Sequence, residues 1–163
     1  MNIQSVPRQR ILAGPVKVVY QPGIIRGLCK HPYYKHSGGC PNFGKRVDCP
    51  PKADLFRDCY EEEAYILAIK FDFERYLELR RQDHPDWTER ALRNPRHWQN
   101  HLRCEISTFY ETAKELLPEL VVITNPEAMG VNLTETCALL GLTLEWPPVR
   151  SVFQINLLAM PKD

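Results

Sequence analysis

The ten residues 64–73, Ala-Tyr-Ile-Leu-Ala-Ile-Lys-Phe-Asp-Phe, decide how this chain folds. They are rich in aliphatic and aromatic side chains, and a short continuous run of this kind predicts a buried β-strand. Ahead of them, residues 15–20 alternate well enough for another short strand, which Gln21-Pro22-Gly23 closes with a turn. Between the two strands a short helix is expected from Asp54, with one face formed by Leu55, Phe56, Cys59 and Tyr60.

Helices dominate the stretch that follows this buried strand. Residues 74–96 are highly charged and predict a helix that is interrupted near His84-Pro85 and Asn94-Pro95, because proline cannot continue a helix. Residues 96–117 predict a long amphipathic helix that Pro118 ends, since their apolar side chains recur at steps of three or four. The apolar positions are Trp98, Leu102, Ile106, Phe109, Ala113 and Leu116.

The C-terminal part predicts further strands and one more helix. The helix covers residues 133–140, with Asn132 as its N-terminal cap and Gly141 as its stop. The last two strands are expected to pair in an antiparallel fashion through a turn at Pro147-Pro148. The predicted strands are 120–124, 142–146 and 152–160.

This order of elements predicts a single α+β domain over residues 1–163, a two-layer domain with a mixed, largely antiparallel sheet packed by helices. A chain of 163 residues can bury roughly 70% of its unfolded surface, so the bulk of it does not need a metal to fold. No apolar run approaches the ~20 residues that span a bilayer, and the first ten residues lack the apolar core of a signal peptide. We therefore expect a cytoplasmic protein with reduced cysteines.

Charge is distributed unevenly along the chain. Residues 1–52 carry nine Lys and Arg against one acid, Asp48, a net charge of +8; since the whole chain has +1, the rest has −7. The asymmetry predicts that the first third faces something anionic, either a nucleic acid or other polyanion or the acidic part of the same molecule. Tyr33, Tyr34 and Phe43 lie among these cations and could stack on bases.

The segment 29–51 has the composition of a metal-binding loop. Its 23 residues include three cysteines, two histidines, three glycines and four prolines, with little apolar periodicity. Such a loop cannot order itself by burying a hydrophobic face, whereas coordination of a metal by thiolates would supply the missing binding energy. The cysteines are Cys29, Cys40 and Cys49, and they lack the close C-x2-C spacing of ordinary zinc modules.

Two pieces of sequence resemble an uncharacterised family of small prokaryotic proteins described as predicted metal-binding. One is the C-P-x-x-G-K and C-P-P signature, Gly39-Cys-Pro-Asn-Phe-Gly-Lys45 followed by Cys49-Pro-Pro51. The other is Pro126-Glu-Ala-Met-Gly-Val131, which is similar to the family's closing segment. The family pattern also has a second cysteine cluster after the long helix, which is absent here, so the resemblance implies that only the first site is present.

The three cysteines allow two kinds of metal centre. A zinc ion would recruit a fourth ligand, for which His36 and His31 are nearest in sequence, and the site would be closed. A [4Fe-4S] cluster held by three cysteines would leave one iron open for a substrate or cofactor. The remaining alternative is a metal-free interaction protein in which these thiols are scattered in the core.

Other candidate sites carry weaker signals. His97, His101 and Cys104 follow an i, i+4, i+7 pattern on one predicted helical face, but we expect a solvated polar face rather than a metal site. Cys59 and Cys137 fall among apolar neighbours and are expected in the core. Residues 42–46 could cradle a phosphate or simply form a turn. The sequence contains no H-E-x-x-H, G-x-S-x-G or Walker pattern, so it assigns no catalytic residue.

Overall fold

The computed structural model describes residues 3–32 and 36–163 of the chain. Its strands are β1 (Arg8–Lys17), β2 (Tyr60–Asp72), β3 (Val121–Ile123) and β4 (Ser151–Pro161). Its helices are α1 (Pro22–Gly27), α2 (Phe56–Cys59), α3 (Phe73–Asp83), α4 (Glu89–Leu92), α5 (Gln99–Leu116) and α6 (Leu133–Ala138).

The strands form one sheet in the order β1-β2-β4-β3. Every neighbouring pair among the described strands is antiparallel, and Leu67 at the middle of β2 lies between Leu12 of β1 and Asn156 of β4. The predicted α+β class is therefore confirmed, although no parallel pair is found in this part of the chain, where a mixed sheet was predicted.

Strand β2 is central and is buried on both faces, as its continuous apolar sequence requires. Leu67, Ile69 and Phe71 point to a cluster formed with α3, α4 and α5. The alternate residues Ile66 and Ala68 point to a second cluster, to which α2 and α6 contribute. The predicted layers of sheet and helices are present, and a thinner third layer covers the second face.

The first strand begins at Arg8, seven residues before the predicted start at residue 15. Its first residues, Arg8-Gln9-Arg10, are polar in sequence and do not predict a strand. In the fold, Arg8 Nη1 donates to Glu105 Oε2 of α5 at 2.8 Å, and Arg10 Nε lies 3.5 Å from Oε1 of the same carboxylate. Ion pairs with a helix packed on the sheet therefore take the place of the apolar alternation that was expected.

Residues 142–146 do not form the predicted strand. The Glu145 carboxylate instead accepts hydrogen bonds from the backbone N–H groups of Val149 and Arg150, at 2.9 and 2.6 Å, and so folds the segment into a turn. Strand β4 finds its partners in β2 and β3. A side-chain to backbone turn has therefore replaced the expected hairpin.

The helices largely follow the prediction. Helix α5 ends at Leu116 before Pro118, although Leu116 itself is 69% exposed and not part of the apolar face. Helix α6 is capped as expected, because the Asn132 side chain accepts from Glu135 N at 3.1 Å. Within the described residues, no helix is both long enough and apolar enough to cross a membrane.

Beyond β1 the chain is tied to the segment that precedes α6. Val19 O accepts from Asn132 N at 2.8 Å, and Val19 N donates to Thr136 Oγ1 at 3.0 Å. Tyr20 then bridges to Val131 in an antiparallel arrangement. These contacts fix the point at which α1 begins, and α1 leads directly to Cys29.

Candidate metal centre

Cys29 lies in a short 3-10 turn, Leu28–Lys30, that continues α1. Its side chain is half-buried. Arg26 on α1 clamps the end of the cysteine loop, because its Nη2 donates to Pro51 O at 2.8 Å and to Ala53 O at 3.0 Å. Both ends of the segment 29–51 are thereby brought together.

Cys40 is held directly against Cys29. Its backbone N–H donates to Cys29 O at 2.7 Å. The preceding Gly39 has a φ of 84°, and a Cβ there would lie 2.5 Å from Cys29 O and 2.8 Å from the carbonyl carbon of Lys30. Only glycine permits this close approach of the two chain segments.

The part of the loop between Cys40 and Cys49 is built from consecutive turns. Gly44 N donates to Pro50 O at 2.8 Å, and Cys49 O accepts from the N–H groups of Lys52 and Ala53, both at 3.0 Å. Backbone hydrogen bonds thus order the loop. The amino-acid composition of the loop does not predict these bonds.

The phosphate cradle considered for residues 42–46 is not formed. The N–H groups of Lys45 and Arg46 donate to Asn42 O at 3.1 and 3.4 Å, and that of Gly44 is already used within the loop. The Arg46 side chain is paired with Asp48 at 2.8 Å. The segment is a closed turn, which was the simpler of the two expectations.

The three loop thiols share one electrostatic environment. The pKa of Cys29 is raised by burial first, and then by the negative charges of Cys40, Cys49 and Glu127, while Arg26 acts in the opposite direction. Cys29 therefore lies within electrostatic reach of the other two predicted cysteines and of Glu127.

The donor set suits a thiophilic metal, but it is not a preformed coordination shell. In residues 3–32 and 36–163, no three Cys, His, Asp or Glu side chains are arranged as ligands of one ion. One polar atom beside the thiols is unsatisfied: Arg26 Nε is buried without a hydrogen-bond partner in this part of the chain. The charge of Arg26 favours the thiolate form of Cys29, but burial and the neighbouring negative charges outweigh it and raise the pKa of this thiol.

The two predicted histidine ligands are placed differently from the cysteines. His31 is exposed at the end of the 3-10 turn, and His36 is half-buried, with its carbonyl accepting from Gly39 N at 3.1 Å. Tyr33, Tyr34 and Lys35 lie outside the described residues.

Glu127 is the residue whose charge acts on Cys29 and that sequence reasoning did not connect with the loop. It stands in the segment Pro126-Glu-Ala-Met-Gly-Val131, where it is the single charged residue in an otherwise apolar run. That contrast was the available signal. Its distance of 98 positions from Cys29 along the chain hid the connection, which only the fold makes.

The pattern of His97, His101 and Cys104 does not produce a common helical face. Helix α5 begins at Gln99, and His97 lies in the preceding 3-10 turn, where its ring centroid is 5.0 Å from that of Trp87. Burial lowers the pKa of His97. His101 and Cys104 are exposed on α5.

The remaining cysteines differ in burial. Cys137 is fully buried in the second cluster, as predicted, and burial followed by the charge of Glu127 raises its pKa to about 11. Cys59 is only half-buried. All six cysteines of the chain lie within the described residues, and each is a free thiol.

The basic first third divides into two groups. Arg8 and Arg10 pair with Glu105, and Lys17 Nζ lies 2.7 Å from Glu62 Oε2, so these cations face acids of the same molecule. Around the cysteine loop the situation differs. In the described part of the chain, no carboxylate forms an ion pair with Lys30, Lys45 or Lys52.

Comparison of the chain with protein-family models, curated proteins and solved structures gives no match. The resemblance to the predicted metal-binding family therefore stays a prediction. The case for a metal centre rests on the contacts of the cysteine loop itself.

Proposed function

We propose that this is a cytoplasmic metal-binding protein in which Cys29, Cys40 and Cys49 hold one zinc ion. The observation that supports the proposal is the backbone contact between two of the cysteines, in which Cys40 N lies 2.7 Å from Cys29 O. The close approach of Gly39 and the Arg26 clamp maintain this contact, and Cys40 and Cys49 both act on the pKa of Cys29. Zinc prefers thiolates, and three of them leave one position for a further ligand.

An iron-sulfur cluster is the second candidate for the same cysteines. A cluster is larger than a single ion, so its thiolates bind different irons and need not converge on one point. Cys40 and Cys49 act on the pKa of Cys29, yet the three thiols form no close group of ligands in the described residues, and this arrangement suits such a cofactor. Three cysteines would leave one iron open to a substrate or cofactor.

Metal analysis of protein purified without oxygen tests these proposals. We expect about one zinc per chain and a colourless solution, whereas a brown solution with iron and sulfide would establish the cluster. Cys40→Ser and Cys49→Ser should lose the metal. Cys104→Ser is the matched control, because Cys104 is an exposed thiol on α5. Protein free of metal under these conditions would favour the metal-free interaction protein.

We propose further that the surface around the cysteine loop binds an anionic partner such as a nucleic acid. Lys30, Lys45 and Lys52 support this, because they carry charge that no carboxylate of the described chain neutralises by an ion pair. Lys30 Nζ also lies 5.3 Å from the centroid of the Phe43 ring, which combines a cation with an aromatic face. Cations release counterions from phosphates, and aromatic rings stack on bases.

The binding of a labelled single-stranded oligonucleotide at several salt concentrations tests this second proposal. Affinity should fall as salt rises, and replacing both Lys45 and Lys52 with alanine should weaken binding and flatten the salt dependence by about two phosphate contacts. Lys114→Ala on the exposed side of α5 is the control. Equal binding by the double variant and the control would exclude this surface, and equally tight binding of heparin would identify a general polyanion site.

A further inference from the structure

Cys29 and Cys40 are direct neighbours in the fold. Cys40 N donates to Cys29 O at 2.7 Å. Because bond lengths and angles fix the distance from each of these atoms to its own Cα, the two Cα atoms are at most about 6.6 Å apart. Disulfides usually join cysteines whose Cα atoms are about 4.4–6.8 Å apart. The separation of this pair is therefore no greater than a disulfide spans.

The backbone around both cysteines is fixed by short turns and close packing. Cys29 lies within the 3-10 turn Leu28–Lys30. Gly39, directly before Cys40, is buried, and its N–H donates to His36 O at 3.1 Å. A Cβ on Gly39 would lie 2.5 Å from Cys29 O, so the two segments leave no room between them. The backbone alone thus holds the two cysteines side by side.

The Cys40 thiol acts on the Cys29 thiol. Both side chains are half-buried, so a small reagent in solution can reach them. Burial raises the pKa of Cys29 most, and the charge of Cys40 is the next largest cause, ahead of that of Cys49. This ranking agrees with the backbone contact, because the effect of one charge on another weakens with distance. Both observations single out Cys40 as the partner of Cys29.

Cys49 is the competing partner for either thiol. Its backbone hydrogen bonds close turns within residues 46–53. In the part of the chain that the structure describes, none of them joins Cys49 to Cys29 or Cys40. Cys49 therefore lacks the fixed backbone approach that brings the other two together.

We propose that Cys29 and Cys40 are a redox site, which forms a reversible disulfide by exchange with a low-molecular-weight disulfide such as oxidised glutathione. One cysteine thiolate attacks a sulfur of the small disulfide, whose S–S bond breaks and releases one thiolate. The second cysteine thiolate attacks the cysteine sulfur of this mixed disulfide and releases the other half. Two protein thiols are thereby oxidised, one small disulfide is reduced to two thiols, and the two protons pass to the released thiolates.

The redox site does not depend on the proposed metal centre, but it bears on it. The disulfide would consume two of the three cysteines to which we assign the zinc ion. Because only thiolates bind the metal, oxidation of the pair should release a bound ion.

Peptide mapping of the oxidised wild-type protein is the first measurement. Cleavage after Lys and Arg separates the loop cysteines into three peptides, residues 27–30, 36–45 and 47–52. After incubation with oxidised glutathione and EDTA, and alkylation of the remaining thiols, we expect the first two peptides to be linked. The intact protein should keep the mass of one chain less two hydrogens, which excludes a link between chains. Cys49→Ser should form the same link.

The equilibrium constant of the exchange, measured at several ratios of reduced to oxidised glutathione, is the second measurement. Gly39→Ala places a Cβ against the backbone of Cys29 and should lower this constant about tenfold or more, a factor that corresponds to about 1.4 kcal/mol. Gly38→Ala is the matched control, because a Cβ there has no neighbour within 4 Å. The peptide map of the wild type decides the pairing even if Gly39→Ala fails to fold.

Three results would overturn the inference. Cys29 and Cys40 carry only mixed disulfides with glutathione, or Cys49 is the main partner of either, or Gly39→Ala and Gly38→Ala give equal constants.

Zinc content, followed in the same titration without EDTA, separates these results from a failure of the proposed metal centre. If Cys29 and Cys40 become linked in a protein that held no zinc, or that keeps its zinc after linkage, the redox site stands and the metal centre fails. If zinc is bound by thiols that form no link even after EDTA removes it, the metal centre stands and the redox site fails.

Discussion

Replacing Gly39 with alanine should open the cysteine loop. At a φ of 84° an alanine is strained by about 1–2 kcal/mol. Its Cβ would also lie 2.5 Å from Cys29 O and 2.8 Å from the carbonyl carbon of Lys30, which are backbone atoms that cannot rotate away. Relieving this clash separates Cys40 N from Cys29 O, now 2.7 Å apart, and forfeits a hydrogen bond worth about 1 kcal/mol.

The combined effect is about 2–3 kcal/mol against the closed loop, which lowers its population relative to open forms by roughly 30–150-fold. Hydrogen exchange should therefore accelerate in residues 38–53, and zinc affinity should fall by a similar factor. The free energy of global unfolding should change less, because the two apolar clusters do not depend on the loop.

Gly38→Ala provides the control for this experiment. A Cβ at Gly38 has no neighbour within 4 Å, and its φ lies outside the range that disfavours side chains. If Gly39→Ala and Gly38→Ala exchange amide protons at the same rate in residues 38–53, the close packing of Gly39 on Cys29 does not hold the loop. The exchange measurement gives this answer whether or not a metal is bound.

Three further predictions concern the rest of the fold. Leu67→Ala should lower the free energy of unfolding in urea by about 2–5 kcal/mol, since Leu67 is completely buried in β2. Hydrogen bonds from Arg150 N and Val149 N lower the pKa of Glu145 to about 2. Its stabilising effect should be complete above the usual pKa of 4.5, fade toward pH 2, and be absent from the pH profile of Glu145→Gln. Burial lowers the pKa of His97, so folding favours its neutral form, and wild-type stability should decline as pH falls below about 6.5 while that of His97→Gln declines less. A matching decline in both proteins would rule out His97 as the cause.

The sequence predicted best the elements whose own side chains form the core. Residues 64–73 predicted β2 because a strand buried on both faces must be apolar throughout. The apolar period of residues 96–117 likewise located α5 to within a few residues of its start and to one residue of its end. In both cases the residues that pack into the core are the same residues whose pattern predicts the element.

The prediction failed where a partner elsewhere in the chain decides the structure. The early part of β1 is paired with α5 through Arg8 and Glu105, so its polar sequence concealed a strand. Residues 142–146 have the apolar character of a strand, but the Glu145 carboxylate binds the following backbone and forms a turn. Local periodicity carries no information about such side-chain to backbone bonds.

For the same reason, the sequence predicted only part of the candidate site. Cysteines, glycines and prolines that are close together in sequence predicted that residues 29–51 form a loop without an apolar face of its own. Proximity in sequence also suggested His31 and His36 as further ligands, which stays a prediction. The fold adds the turn 125–131, which hydrogen bonds from Gln21 and Phe56 hold against the elements that flank the loop. A contact made by so distant a turn leaves no spacing pattern to recognise.

The position of the loop has a consequence for how metal binding and folding are linked. The loop has few apolar side chains, and its order depends on Arg26 of α1, on the approach of Gly39 to Cys29, and on the turn 125–131. The turn 125–131 and the start of α2 are themselves fixed by the second apolar cluster, through Val131 and Phe56. Unfolding of that cluster would release the turn from the loop. Opening of the loop alone would leave the cluster intact. An ion bound to the thiols therefore stabilises the loop first, and it stabilises the whole domain only to the extent that the domain must unfold to release it.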